Sequence, residues 1–292
     1  MPDPAARDAA EEASALSHPA VTPDVTASYG DHPDQLVDFY APRDRVGRVP
    51  LVVLFHGGAW RAPYDRRHVS PLADYLARRG FAVASVEYRR GTEIPGPRGG
   101  GNGGPVAGRW PETFDDVAAA MDALPGLVAR HLPQGDARRT VLTGHSAGGH
   151  LALWAAARHV LPAGSPWRLP APPELRGVVA LAPIAHFARS VELDVCGGAV
   201  LQLLGGGGES EARSAHADPA VLLPTGIATT LVQGRADSVV PLPVAEAYAD
   251  AAAAAGEPVG LTVLDGVGHF PLIDPAADAC AVVAEEVAQL AW

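Results

Sequence analysis

Thr140-Val141-Leu142-Thr143-Gly144-His145-Ser146-Ala147-Gly148-Gly149-His150 is the stretch on which the reading of this chain turns. A β-branched run stops at a glycine-flanked serine, and an alanine-rich, helix-forming segment follows at once. Gly-x-Ser-x-Gly between a strand and a helix is the pattern of a nucleophile elbow. The serine sits on a tight, strained turn, and the two glycines, lacking Cβ, let neighbouring backbones close around it. The spacing predicts strand, turn and helix, with the Ser146 hydroxyl projecting at the top of a sheet. The plain alternative is an ordinary glycine-assisted turn in a chain rich in glycine and alanine, and residues downstream separate the two.

A serine hydroxyl is a weak nucleophile at neutral pH and needs a base, plus a third group that holds the base in the useful tautomer. After the apolar run Ala228 to Val232, the segment Gln233 to Pro241 places Asp237 in a loop just beyond a strand. Leu261 to Leu264 reads as a further strand, and His269 lies in the loop that follows it. His145 and His150 flank the elbow, but the first points away from its neighbour and the second lies on the following helix. Asp265 and Asp274 compete for the role of the acid, yet only Asp237 has the strand, turn, Val-Pro, helix setting of an orienting carboxylate. Its other reading is the cap of the helix from Pro241.

An oxyanion needs backbone N–H donors. Leu51 to Phe55 is a continuous apolar run of the buried-strand type, followed by His56-Gly57-Gly58-Ala59-Trp60, whose glycines let the backbone approach a substrate closely. The expected donors are Gly58, Ala59 and Ala147, with Gly57 able to replace one of them. The alternative is a tight turn with Trp60 as core packing.

On His56 to Trp60, Gly144 to Gly149, Asp237 and His269, the chain resembles an α/β-hydrolase of the carboxylesterase type. Its His-Gly-Gly-x-Trp form is similar to that of the arylformamidases, also called kynurenine formamidases. The resemblance spans nearly all of the chain beyond about residue 25, and its chain order of serine, aspartate and histidine is that of the α/β-hydrolases. The glycine-rich Gly91 to Gly108 has no counterpart in it. The resemblance implies a serine hydrolase that needs no cofactor and cleaves a small, uncharged or aromatic carboxylic ester or amide through an acyl-enzyme. The alternatives are an arylformamidase hydrolysing N-formylkynurenine and, from another class, a non-catalytic ligand-binding protein on the same fold.

Length and composition agree. At 292 residues and 48% hydrophobic content the chain can bury a large core as one catalytic domain. A formal charge of −11 argues against nucleic acid or an anionic membrane as partner. Every one of the 22 basic residues is arginine, which excludes Schiff-base chemistry, a Ser-Lys dyad and a phosphate-loop lysine. The 2 cysteines, Cys196 and Cys280, are too few for a disulfide framework, and no zinc-binding spacing occurs. The N-terminal segment lacks the basic and apolar regions of a signal peptide, and no run of about 18 apolar residues occurs, so cytoplasmic residence is the expectation.

Along the chain, residues 1–23 read as an N-terminal arm or short surface helix and 24–292 as the catalytic domain. Val25 to Tyr29 and Gln35 to Tyr40 suit an antiparallel edge pair. Leu51 to Phe55, Phe81 to Val86, Val141 to Thr143, Val178 to Leu181, Thr229 to Val232 and Leu261 to Leu264 read as further strands. Helices are expected over Arg67 to Arg79, Thr113 to Leu132, Pro241 to Ala255 and Pro275 to Leu290. Alternating strands and helices predict a mostly parallel sheet covered on both faces. Leu161 to Pro173, rich in proline, reads as a surface connection. Gly91 to Trp110 contains a Gly-x-Gly-x-x-Gly at Gly99, Gly101 and Gly104, but no strand precedes it directly and Pro105 follows, so it reads as a loop near the site. Residues 185–224 suit a small cap insertion with a lid helix over Val195 to Leu204. Trp60, His145, Phe187 and Phe270 are candidates for the substrate pocket, with Leu201, Leu203 and Leu204 either lining it or packing within the cap.

Overall fold

The computed structural model describes residues 4–43, 47–91, 108 and 110–292. Most of the glycine-rich Gly91 to Trp110 stretch therefore lies outside the described residues. The strands are β1 (Val25–Ser28), β2 (Leu36–Tyr40), β3 (Val49–Phe55), β4 (Ala82–Val86), β5 (Gly135–His145), β6 (Gly177–Leu181), β7 (Thr229–Gly234) and β8 (Gly260–Leu264). They form one sheet in the order β1-β2-β4-β3-β5-β6-β7-β8. The β1/β2 and β2/β4 pairs are antiparallel and every other pair is parallel. The antiparallel edge pair read from the sequence is present, with Val25 opposite Phe39.

The continuous apolar strands are explained by burial on both faces. Leu51, Val53 and Phe55 of β3 join one core cluster, whereas Val52 and Leu54 join the other. Helices α3 (Glu112–His131), α4 (Ala147–Ala156) and α8 (Leu242–Ala254) contribute Phe114, Leu151 and Val244 to the first cluster. Helices α1 (Pro4–Ser17), α2 (Ser70–Arg78) and α9 (Asp278–Ala291) contribute Ala15, Leu72 and Val283 to the second. The result is a sheet sandwiched between helical layers, an α/β-hydrolase architecture. Between β6 and β7 lie α5 (Phe187–Glu192), α6 (Ala199–Leu203) and α7 (Ser210–Ala217), within the stretch expected to form a cap.

Several boundaries differ from the expectation for identifiable reasons. The helix expected from Arg67 begins as a 3₁₀ turn, Arg66–Val69, because the Asp65 side chain accepts from Arg67 N at 2.9 Å and Pro71 then opens α2. The helix expected from Pro275 starts at Asp278, since Asp274 caps a preceding turn by accepting from Ala276 N at 2.8 Å. The helix expected over Val195 to Leu204 shrinks to α6, because Asp194, Cys196, Gly197 and Gly198 take φ of 49, 53, 61 and 72°, left-handed values that no right-handed helix contains. The strand before the elbow is longer than Val141 to Thr143 because polar residues from Gly135 onward pair with the start of β3.

Candidate active site

Strand β5 delivers Gly144 between Phe55 of β3 and Ala180 of β6, and the chain then reverses into α4. Ser146 occupies the reversal with φ 57° and ψ −118°, a conformation that L side chains rarely adopt and that carries about 1–3 kcal/mol of strain. Its N–H donates to Leu181 O at 2.8 Å, and its carbonyl accepts from His150 N at 3.1 Å. The flanking glycines are sterically required. A Cβ on Gly144 would lie 2.3 Å from Gly148 O, and one on Gly148 would lie 2.1 Å from Phe55 O. Both clashes are against backbone, which cannot swing aside.

Asp237 follows β7, buried in a turn. Its Oδ1 accepts from Val239 N at 2.9 Å and Val240 N at 2.8 Å. Its Oδ2 accepts from Gln233 Nε2 at 3.1 Å and lies 2.7 Å from Nδ1 of the buried His269. That contact places the proton on Nδ1 and leaves Nε2 as an acceptor. His269 and Ser146 line one cavity of about 180 Å³, together with Gly58, Ala59, His145 and Phe270. The structure thus brings the serine, the imidazole and the carboxylate expected from the sequence to one place. The competing residues are engaged elsewhere: Asp265 pairs with exposed Arg235, Asp274 with Ser14 and His18, and His150 Nε2 lies 2.9 Å from Ala217 O. His145 braces His269, its Nε2 lying 3.0 Å from the His269 carbonyl oxygen.

The loop after β3 is unusual in its backbone. Gly58, Ala59 and Trp60 have φ of 101, 51 and 55° in succession, so two side chains are held in left-handed conformations. Support comes from beneath. His56 is buried with Nε2 2.8 Å from Glu87 Oε1 and its ring stacked at 4.2 Å on Tyr88, whose hydroxyl donates to His56 O at 2.7 Å. Burial works to raise the Glu87 carboxyl, but His56, Arg90 and the Arg66 N–H together hold it down at about 2. Gly58 and Ala59 line the cavity, as candidates for oxyanion donors would. Gly57 packs against the elbow, where a Cβ would meet His145 O at 2.9 Å. Ala147 opens α4, so its N–H is outside the helical ladder.

The proposed substrate pocket is changed in half of its members. His145 and Phe270 line the cavity, whereas Trp60 and Phe187 are buried side chains whose rings pack 6.4 Å apart, each also against His150. Bulk and an apolar surface drew them into the core. Sequence reasoning missed Leu16, Arg61, Tyr64, His68, Cys196 and Val239, which complete the wall. Burial lowers the His68 imidazole to about 4.

It also missed the part played by α1. Arg7 donates to Ala236 O at 2.6 Å, Asp8 accepts from the Ser238 hydroxyl, and Glu11 accepts from Gly268 N at 3.2 Å. Ser14 donates to Asp274 at 2.6 Å, and His18 lies 2.7 Å from the same carboxylate. The helix therefore grips the residues on both sides of Asp237 and the one before His269. The signal was present as a polar stripe, Arg7, Glu11, Ser14 and His18, at helical spacing.

Comparison with known proteins agrees with the fold. The BD-FAE family model matches residues 37–251. A probable isoprenylcysteine α-carbonyl methylesterase of Oryza sativa subsp. japonica is 31% identical over 124 residues, 42% of this chain and 25% of that protein. A probable carboxylic ester hydrolase, LipM, of Mycobacterium tuberculosis is 31% identical over 115 residues, 39% of this chain and 22% of that protein. The chain thus spans about a quarter of the length of these relatives. Among solved structures, a truncated carbohydrate esterase from gut microbiota superposes with a TM-score of 0.73 at 18% identity, covering 94% of this chain and 99% of that one. Esterase B of Lactobacillus rhamnosis superposes with a TM-score of 0.71 at 21% identity, covering 98% of this chain and 91% of that one. With sheet order, elbow and family model in accord, the chain belongs to the BD-FAE family of carboxylesterase-like α/β-hydrolases.

Proposed function

We propose that the protein hydrolyses small carboxylic esters in two acyl-transfer steps on Ser146. The carrying observation is a strained serine that shares a cavity with an imidazole whose Nδ1 faces a buried carboxylate at 2.7 Å. In the first step Ser146 Oγ bonds to the carbonyl carbon as its proton passes to His269 Nε2. The tetrahedral oxyanion accepts from the N–H groups of the Gly58-Ala59 turn and of Ala147. Collapse breaks the carbon–oxygen bond to the alcohol, which leaves with the proton from His269. Water then attacks the acyl-enzyme, gives one proton to His269 and releases the carboxylic acid, and the proton returns to Ser146. Asp237 stays ionised and stabilises the imidazolium.

The relatives and structural neighbours named above are esterases, which favours an ester over a formamide. The reading is tested with p-nitrophenyl acetate and N-formylkynurenine side by side, on the wild type and on Ser146→Ala. The ester is expected to turn over faster. The variant is expected to lose on the order of 10⁴-fold or more in kcat. Ester turnover that survives in the variant would overturn the assignment.

A further inference from the structure

Among the described residues, the cavity wall carries one arginine, Arg61, which stands in the same loop as the candidate oxyanion donors. Its Nη2 donates to Cys196 O at 2.6 Å and, less closely, to Gln202 Oε1 at 3.4 Å, both neutral acceptors. Its Nε is buried and has no acceptor among the described residues. Arg48, Arg79, Arg130, Arg168 and Arg176 also have no carboxylate partner among the described residues, but they are exposed, where water solvates the charge. Arg61 is half-buried, and it faces the site.

No described residue of the wall is acidic. Burial lowers the imidazole of His68 to about 4 and that of His145 well below its ordinary value, and it raises the Cys196 thiol. These neighbours are uncharged at neutral pH. Arg61 is therefore a fixed positive charge in a concave, largely apolar site, within a chain whose formal charge is −11. A guanidinium that lines a cavity and meets only neutral acceptors among the described residues favours an anion beside it, and carboxylates suit it best because both are planar and two-pronged.

We propose that Arg61 seats an anionic group of the substrate, so that the preferred esters carry a carboxylate a few atoms from the scissile carbonyl. This rests on the ester-hydrolase reading of the same cavity and replaces the uncharged ester expected from the sequence. Arg61 is a specificity-determining residue and takes no part in the bond changes.

The test compares each anionic ester with its neutral, nearly isosteric carboxamide. One pair bears the charge on the alcohol side, 4-acetoxybenzoate against 4-acetoxybenzamide. The other bears it on the acyl side, the p-nitrophenyl hemiester of adipic acid against its amide. At low salt the wild type is expected to favour the carboxylate of at least one pair by about tenfold or more in kcat/KM, the scale of a hydrogen bond to a charged group. Arg61→Gln is expected to bring that ratio to about one, and added salt to reduce it in the wild type. Because the readout is a ratio within one preparation, partial misfolding of the variant cancels. The wild-type preference and its salt dependence stand even if the variant does not fold. No preference in either pair, or a preference that Arg61→Gln leaves intact, overturns the proposal. Failure of all four esters to turn over, together with p-nitrophenyl acetate, sinks the esterase reading instead.

Discussion

Ser146 at φ 57° and ψ −118° is held there by its surroundings, since the residue itself prefers other conformations. Strand β5 fixes one side of the turn, the Leu181 carbonyl accepts its N–H, and the backbone of β3 fits where Gly148 lacks a Cβ. Removing the Ser146 Cβ should therefore release strain. Glycine relieves about 1–3 kcal/mol of it, against an unfolded-chain entropy penalty of about 0.5–1 kcal/mol. Ser146→Gly is expected to melt above Ser146→Ala, and a calorimetric comparison that ranks them the other way would remove the strain argument. At this scale the candidate triad was legible because each member sits in its own local pattern: a glycine-bracketed turn, a strand-to-loop aspartate, a strand-to-loop histidine. Arg61, Tyr64, His68, Cys196 and Leu16 were not legible. Arg61 directly follows the loop of candidate oxyanion donors, but its charge is not part of that pattern; the others reach the cavity through tertiary approach that the residues beside them do not record.

Among the elements, α1 contacts the loops that carry Asp237 and His269, and its sequence signal is only a polar stripe at helical spacing. It was readable as an arm or short helix, whereas its bonds to Ala236, Ser238 and Gly268 depend on a fold that brings residues more than 200 positions apart together. Glu11 is the informative position. Burial raises its carboxyl pKa, Oε2 has no partner among the described residues, and Oε1 accepts from the residue preceding His269. Glu11→Ala is expected to lower kcat several-fold with a stability loss of about 1 kcal/mol, and Glu11→Gln, which keeps an acceptor oxygen, to restore most of the rate. Wild-type kcat in Glu11→Ala would show that α1 does not position the base. The central strands were legible because burial on both faces writes an unbroken apolar run. The start of β5 was not, because Arg138 and Arg139 fall outside any such run and are held by Asp136.

For the whole molecule, a mostly parallel sheet covered by helices on both faces follows from alternating apolar strands and amphipathic helices, and that much was read correctly, whereas the order of the strands within the sheet was not read from the sequence. What a sequence does not reveal is which polar groups the two cores enclose. Desolvation lowers the imidazoles of half-buried His68, at the cavity, and of buried His150 from 6.5 to about 4, and lowers that of buried His145 well below 6.5. The fold favours their neutral forms, so the unfolded chain binds more protons below pH 6.5. Their contribution is complete above about 6.5 and is lost as the pH falls toward 4. Glu87, lowered from 4.5 to about 2, extends the loss below 4.5. Asp218, which burial raises from 3.8 to about 6, acts in the opposite sense between those values, one group against three. Urea unfolding is expected to give a lower midpoint at pH 5 than at pH 7, and an equal or higher one would refute this balance. Ester hydrolysis by this molecule would depend on Ser146 being the nucleophile that His269 activates. The most direct measurement is the rate and site of reaction with a fluorophosphonate, mapped by peptide mass. One adduct on the peptide carrying Ser146, formed on the order of 10³-fold more slowly in His269→Ala, is the expected result. Modification at another residue, or equal rates with and without the imidazole, would contradict it.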